Sequence, residues 1–278
     1  MQAEVEEAEF TYSAQVLLDS VSPQGVRLTT LQVRFPRFIL AEFNTHRVFS
    51  RNSASSRAVP TKKLLGQVFE APVLPLEWGK NKSGMSADEE LSDADQYLAR
   101  QEWLLARDSA LASAEKLLKL GVHKQVVNRI LEPFLWHTVI VTATEWENFF
   151  TLRLAKNAQP EMQITAKLML DAYTGSTPEP VAAGQWHLPL VQPDERHLPV
   201  EQLTKISAAR CARVSYLTHD GKREIEKDIE LCERLRADRH LSPFEHVATP
   251  AGDASFHANF RGWVQMRKEI ERAIAQDQ

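Results

Sequence analysis

The chain has 278 residues, 43% of them hydrophobic and 25% charged, with a formal net charge of -4 and a pI near 6.2. That length makes one large domain or two small ones with enough chain for a buried core, and the acidic balance disfavours a general polynucleotide-binding surface. The two cysteines, Cys211 and Cys232, form neither a CxxC pair nor a zinc spacing and suit a reducing compartment. No apolar run is long enough to span a bilayer, and the N-terminus "MQAEVEEAEF" is acidic, unlike a signal peptide. The expectation is a soluble, cytoplasmic protein that binds neither membrane nor nucleic acid.

In chain order, Leu31, Val33 and Phe35 alternate, which predicts a strand ended by Pro36. Proline suits the first turn of a helix, where its missing N–H is no loss. A helix is therefore predicted over "RFILAEFNTHR", residues 37–47, with Ile39 and Phe43 one turn apart on its buried side. The stretch "NTHRVFSRNSASSR", residues 44–57, then crowds arginines, serines, asparagines and a histidine into the helix end and the loop after it. Cations are favourable at a helix C-terminus, which alone would account for Arg47; a polar turn would account for Ser55 and Arg57.

Residues 70–92 hold prolines, glycines and polar residues without period and read as a loop or insertion. Ser92 with Asp95 reads as the N-cap of a long helix that contains Leu98, Leu105 and Leu111 and that Gly121 closes. A second helical region covers "EWENFFTLRLAKN", and Pro160 starts another, "PEMQITAKLMLDAY". The proline-rich residues 174–200 read as a connector. After them, "EIEKDIELCERLRAD" places Ile225, Ile229, Cys232 and Leu235 on one helical face. Ser242-Pro243 reads as an N-cap and first turn, with Glu245 completing a capping box and Phe244 in the core.

Several chemistries lack their motif. There is no GxGxxG after a strand, no GxxxxGK[ST], no HExxH and no GxSxG, and the nine histidines are scattered with no metal-ligand set among them.

Three separated groups of segments resemble one family. "THRVFSRNSASSR" is similar to the signature Arg-His-Arg-x-x-Ser-x-Asn-Glu-x-Ser-x-Arg of flavin-dependent thymidylate synthases. "NRILEPF" and "NFFTLRLAKNAQPEM" resemble that family's later Arg-x-x-x-Pro, Asn-Phe-Leu-x-Leu-Arg and Ala-Gln-x-Glu. "ARCARVSY" and "RHLSPFEHVA" resemble its opening segment, Ala-Ala-Arg-Val-Ser-Tyr followed by His-x-Ser/Thr-Pro-Phe-Glu-His. Here that opening segment lies near the C-terminus, as in a circularly permuted relative whose old ends are joined by residues 174–200; permutation is tolerated when termini lie close together on the surface.

The resemblance implies an α+β fold, with helices packed on a mixed or antiparallel sheet, in a single domain over 1–278. It implies a homotetramer that transfers a one-carbon unit from methylenetetrahydrofolate to C5 of dUMP, giving dTMP, with FAD reduced by NADPH. On the flavin side it places His46, Arg47, Ser50, Asn52, Asn148, His240, Ser242 and Glu245. On the nucleotide side it places Glu42, Ser53, Ser55, Arg57, Arg129, Gln265 and Arg267. It gives the catalytic role to Arg153, whose permanent charge would stabilise negative charge developing on the pyrimidine. The chain departs from the pattern at Thr45, where the family has its first signature arginine, and at Ser53, where it has glutamate. Glu42 stands for a glutamine, and Thr142 to Thr144 stand for the flavin motif Asn-x-Arg. Two positive charges are thereby removed. A C5 hydroxymethylase, an enzyme acting on dCMP, and a non-catalytic nucleotide-binding homologue all stay open.

Overall fold

The computed structural model describes residues 11–53, 55–87, 89–213 and 224–276. The end of "ARCARVSY", from Val214 to Tyr216, lies outside them.

Strands β1 (Ser13–Val21) and β2 (Arg27–Pro36) form an antiparallel hairpin. Gly25 closes its turn at φ 75, a left-handed conformation that glycine adopts without a Cβ penalty. Strand β3 (Ser50–Ser53) and β4 (Trp136–Ala143) extend the sheet on one side and β5 (Glu179–Pro180) on the other, in the order β3-β4-β2-β1-β5. Only the β1–β5 pair is parallel, so the sheet is mixed. The α+β class expected from the resemblance is the one observed.

The alternation in β2 does what its period requires. Leu31, Val33 and Phe35 face one side with Val139, Val141 and Ala143 of β4, all essentially inaccessible. On that face lie α1 (Leu40–Phe43), α5 (Glu147–Arg153) and α6 (Pro160–Gly175), which contribute Phe43, Phe149, Phe150, Met162, Ala166 and Met169 to the same core. Between α1 and α5 in the chain run α2 (Thr61–Glu70), α3 (Asp93–Lys119) and α4 (Lys124–Leu131). They share a second core of Leu64, Val68, Ala114, Val127 and Leu131. Ser92 caps α3 by accepting from the Asp95 N–H at 3.2 Å, and Gly121 follows its end at φ 80, both as expected.

Three expectations are corrected. The helix after Pro36 is a 3-10 turn, Arg37–Ile39, followed by the single turn of α1; Ile39 and Phe43 are buried as predicted, but nothing helical continues to residue 47. The Glu42 carbonyl accepts instead from the Thr45 hydroxyl (2.7 Å), the Thr45 N–H (3.1 Å) and Arg153 Nη2 (3.2 Å), and a side chain that bonds the nearby backbone competes with helix propagation. Helix α5 stops at Arg153 rather than running to Asn157. Gln163 Nε2 takes the Ala158 carbonyl at 2.6 Å, and Gln159, preceding a proline, is extended at ψ 136. Residues 174–200 are no loose connector. Proline, unable to donate to a ladder, suits an edge strand, and Pro180 sits on one: β5 pairs with β1, and His187 is fully buried on the sheet.

Helices α7 (Val200–Ala212) and α8 (Ile225–Ala237) pack together, with Cys232 buried and Ile225, Ile229 and Leu235 partly so, on the predicted face. Arg210 ties them to the strap before α7. Its guanidinium makes two 2.6 Å bonds to Glu195 and one of 2.9 Å to Asp228, and all three side chains are buried. Removing one partner of a buried ion pair leaves desolvated charge, so Arg210→Ala should cost about 3 kcal/mol or more in urea unfolding. A loss below about 1 kcal/mol would show that this cluster does not hold the strap.

The chain then enters a 3-10 turn, Ser242–Glu245, and the short strands β6 (Ala248–Pro250), β7 (Phe256–His257), β8 (Phe260–Arg261) and β9 (Trp263–Gln265), before α9 (Met266–Gln276). The capping box expected at Ser242 does not form. Leu241 is the N-cap, with no side-chain cap, because Glu245 ion-pairs with Arg267 of α9 instead. Phe244 is in the core, as expected.

Candidate ligand-binding site

The second face of the sheet carries hydroxyls. Ser50, Thr142 and Thr30 stand opposite one another across β3, β4 and β2, and all three are buried. Each receives a side chain from the last third of the chain. Gln265 Nε2 and Asn259 Nδ2 both donate to Ser50 Oγ at 3.0 Å. His246 Nδ1 lies 2.7 Å from Thr142 Oγ1, which lies 2.7 Å from Thr30 Oγ1. His187 Nε2 lies 2.8 Å from Thr30 Oγ1, and its Nδ1 is 2.7 Å from Ser20 Oγ. Burial pushes His187 and His246 down to about 3, so both rings are neutral at ordinary pH. This polar seam registers the C-terminal elements on the sheet and brings the Ser242–Glu245 turn against the edge strand β3.

Where they meet is a cavity of about 500 Å³, lined by Asn52 and Ser53 of β3 and by Arg239, His240, Ser242 and Arg267 among others. Of the expected site residues the structure thus joins Asn52, Ser53, His240, Ser242 and Arg267 at one place. Glu245 and Gln265 stand beside it in supporting roles. Glu245 pairs with Arg267, which also bonds Glu271 at 2.7 Å, and Gln265 Nε2 reaches the Glu245 carbonyl at 3.2 Å. Ser50, expected on the flavin side, is 1% exposed, and its oxygen accepts from Gln265 and Asn259.

Arg153, at the end of α5, bonds the stretch that leads into β3. Its Nε donates to His46 Nε2 at 2.8 Å and its Nη2 to Thr45 Oγ1 at 2.9 Å. Burial, then Arg153 and Arg51, lower His46 to about 4. The ring is therefore neutral and accepts from the arginine. It stacks on Phe49 at 5.7 Å and meets the edge of Phe149 at 4.8 Å. Glu42 is beside them, through its carbonyl, and its Oε2 is buried with no hydrogen-bond partner among the described residues. Arg47, two residues before the cavity-facing strand begins to form at Phe49–Ser50, is exposed.

A third group forms where the 3-10 turn Ser56–Ala58 packs on α4. Ser56 Oγ donates to Glu132 at 2.5 Å, and Arg129 and Arg37 pair with the same carboxylate at 2.7 and 3.1 Å. Against the upward push of burial, these donors hold Glu132 below its ordinary value. Ser55, the cap of this turn, and Arg57 within it are both exposed, and Arg129 shares the Glu132 carboxylate with Ser56 between them. Asn148 is exposed on the first turn of α5 and makes no side-chain hydrogen bond among the described residues.

Reading the sequence missed Thr30, His187, His246 and Asn259. The period-two alternation of β2 held a signal for the first, since it sends Thr30 to the face opposite Leu31 and Val33.

Fold and site together define an α+β protein with a cationic, hydroxyl-bearing pocket at a sheet edge, a donor set that suits an anionic ligand. The family model of the thymidylate synthase complementing protein, Thy1, matches residues 20–179, more than half of the chain, and the chain belongs to that family, an enzyme family of the flavin-dependent thymidylate synthase type. The matched span holds Glu42 to Arg57, Arg129, Asn148 and Arg153, and leaves His240 to Arg267 outside it. No curated protein sequence matches the chain. Among solved structures it is similar to the UMP/dUMP methylase PolB from Streptomyces cacaoi bound with 5-Br UMP, at 18% identity and a TM-score of 0.48, over 59% of this chain and 89% of that one. It is also similar to Thymidylate Synthase X (ThyX) from Helicobacter pylori with FAD and dUMP, at 20% identity and a TM-score of 0.35, over 52% of this chain and 67% of that one. Both likenesses fall below a TM-score of 0.5 and add nothing to the family assignment.

Proposed function

We propose that this chain transfers a one-carbon unit from methylenetetrahydrofolate to C5 of a pyrimidine deoxynucleotide monophosphate, dUMP to dTMP, using FAD reduced by NADPH, as a cytoplasmic homotetramer in which residues 1–278 act as one domain. The observation that carries the reading is the meeting of β3, inside the family-matched span, with the His240–Glu245 turn outside it, around one cavity. That meeting also supports circular permutation: the segment resembling the family's opening lies against the signature segment despite their separation in sequence.

The donor chemistry fits a flavin dinucleotide. Guanidinium, imidazole, hydroxyl and amide groups line the cavity, and no carboxylate is among the described lining residues. Asn52, His240 and Ser242 would hold FAD there, with Arg47 at its margin; Ser50 would not, being already engaged. When bound, the flavin supplies the hydride and the folate the carbon. The remaining work falls to this chain's own groups. Arg57, Ser55 and Arg129 would orient the nucleotide phosphate, as charge-assisted bonds require. Glu42 Oε2, buried and unpartnered, would accept from a base N–H. Arg153, fixed by His46 and Thr45, keeps Nη1 without a partner among the described residues and would polarise the base.

Mass analysis of the product tests the reading. Protein, FAD, NADPH and methylenetetrahydrofolate incubated with dUMP should yield a nucleotide heavier by one CH₂. Product from dCMP, or one heavier by CH₂O, would redirect the reading to the dCMP-acting or hydroxymethyl alternatives. Folded protein that binds dUMP but leaves every pyrimidine monophosphate unchanged would leave the non-catalytic homologue.

A further inference from the structure

Helix α8 ends at Ala237, with Asp238 as its C-cap. The Arg239 N–H then bonds the Arg236 carbonyl at 3.2 Å and the His240 N–H reaches back to the Leu235 carbonyl at 2.8 Å. Arg239 holds φ 56. This is the left-handed closing position that glycine commonly fills, because an L side chain crowds the following carbonyl there. The turn has no use for an arginine side chain. It is exposed and makes no ion pair among the described residues.

What the side chain reaches is the cavity. Arg239 lines it with His240, Arg267, Asn52, Ser53 and Ser242, and no described carboxylate joins them. Arg267 is already neutralised by Glu245 and Glu271. Arg239 is therefore the guanidinium in that lining whose charge no described carboxylate balances. A residue held in a disfavoured backbone conformation, when its side chain serves nothing in the turn, points to a role for that side chain.

We propose that Arg239 is a ligand-binding residue whose guanidinium grips a phosphate of a diphosphate-bearing ligand in this cavity. That the ligand bears a diphosphate, and is FAD, rests on the function proposed above; the unbalanced cationic site does not. The test uses the full chain, with Arg239→Gly and Arg239→Lys, and measures melting temperature and calorimetric affinity for inorganic pyrophosphate and for FAD. Because glycine relieves the left-handed strain, Arg239→Gly should melt at or above the wild type while losing about 10-fold or more in affinity for pyrophosphate, the worth of a charge-assisted bond. Arg239→Lys should recover part of that loss, as a point charge lacking the fork. Pyrophosphate binding that depends on Arg239, with no FAD binding, would sustain this site and remove the flavin reading. FAD bound equally by wild type and Arg239→Gly would overturn this site and leave the flavin reading standing. Absence of pyrophosphate binding by the wild type, or an Arg239→Gly protein that melts well below it, would also overturn the proposal.

Discussion

Arg153→Ala should yield a folded protein whose turnover of the pyrimidine nucleotide falls by about 100-fold or more, the usual scale for losing a preorganised donor at developing charge. The side chain is only part-buried, so its removal opens no core cavity; what it removes is the link from α5 to His46 (2.8 Å) and Thr45 (2.9 Å). Two contributions are separable. If Arg153 polarises the base, kcat falls while nucleotide affinity changes little. If it only positions His46, the loss appears in flavin content instead, because the freed imidazole no longer has a fixed tautomer. Arg153→Lys should recover little, since an ammonium cannot serve His46, Thr45 and a ligand with a planar fork. Steady-state kinetics alongside the absorbance of bound flavin reads both. Turnover equal to wild type in Arg153→Ala would remove this residue from the mechanism.

The second large effect is acid sensitivity. His137, His187 and His246 are each pushed down to about 3, chiefly by burial; Arg37 adds to the shift at His137 while Glu132 opposes it, and Asp19 opposes it at His187. Their unfolded value is about 6.5. The unfolded chain therefore binds more protons than the folded one between those limits. Stability is full above pH 6.5 and is lost as pH falls toward 3. At pH 5 each histidine would cost about 2 kcal/mol, from about 1.5 units at 1.36 kcal/mol per unit. Urea unfolding followed from pH 7.5 to pH 5 should show the midpoint nearly level at first and falling once pH drops below about 6.5, with uptake approaching one proton per histidine at pH 5. Thr142 and Thr30 are the groups through which His246 and His187 are held to the sheet. A flat profile over that range would mean that the seam is hydrated or that its rings are already charged.

Much of the core was legible in the sequence, because its signals are local. The alternation in β2, the Ser92 cap and the apolar face of α8 each arise from a single period or a single side chain bonding its own backbone. The candidate site was legible in parts. His46, Asn52, Arg153, His240 and Ser242 could be named, but not which of them share a cavity, since that depends on long-range docking. The departures from the family pattern proved the most instructive residues. Thr45 stands where an arginine was expected, and it receives Arg153. Thr142 carries His246, and Thr144 accepts from the Arg261 N–H at 3.0 Å. These small hydroxyls serve to dock the end of the chain onto the sheet. The residues hardest to foresee were Ser50 and the 174–200 strap. Whether a serine is free, and whether a proline-rich segment is slack, is decided by partners some two hundred positions and more than a hundred positions away, Gln265 and Ser20.

The convergence of the signature segment and the C-terminal turn on one ligand is most directly tested by amide hydrogen exchange of the full chain with and without FAD and dUMP together. Exchange should slow on ligand addition both in residues 46–57 and in residues 239–246, segments that only the folded sheet edge brings into contact. Protection confined to one of the two, or appearing only elsewhere, would contradict a shared site.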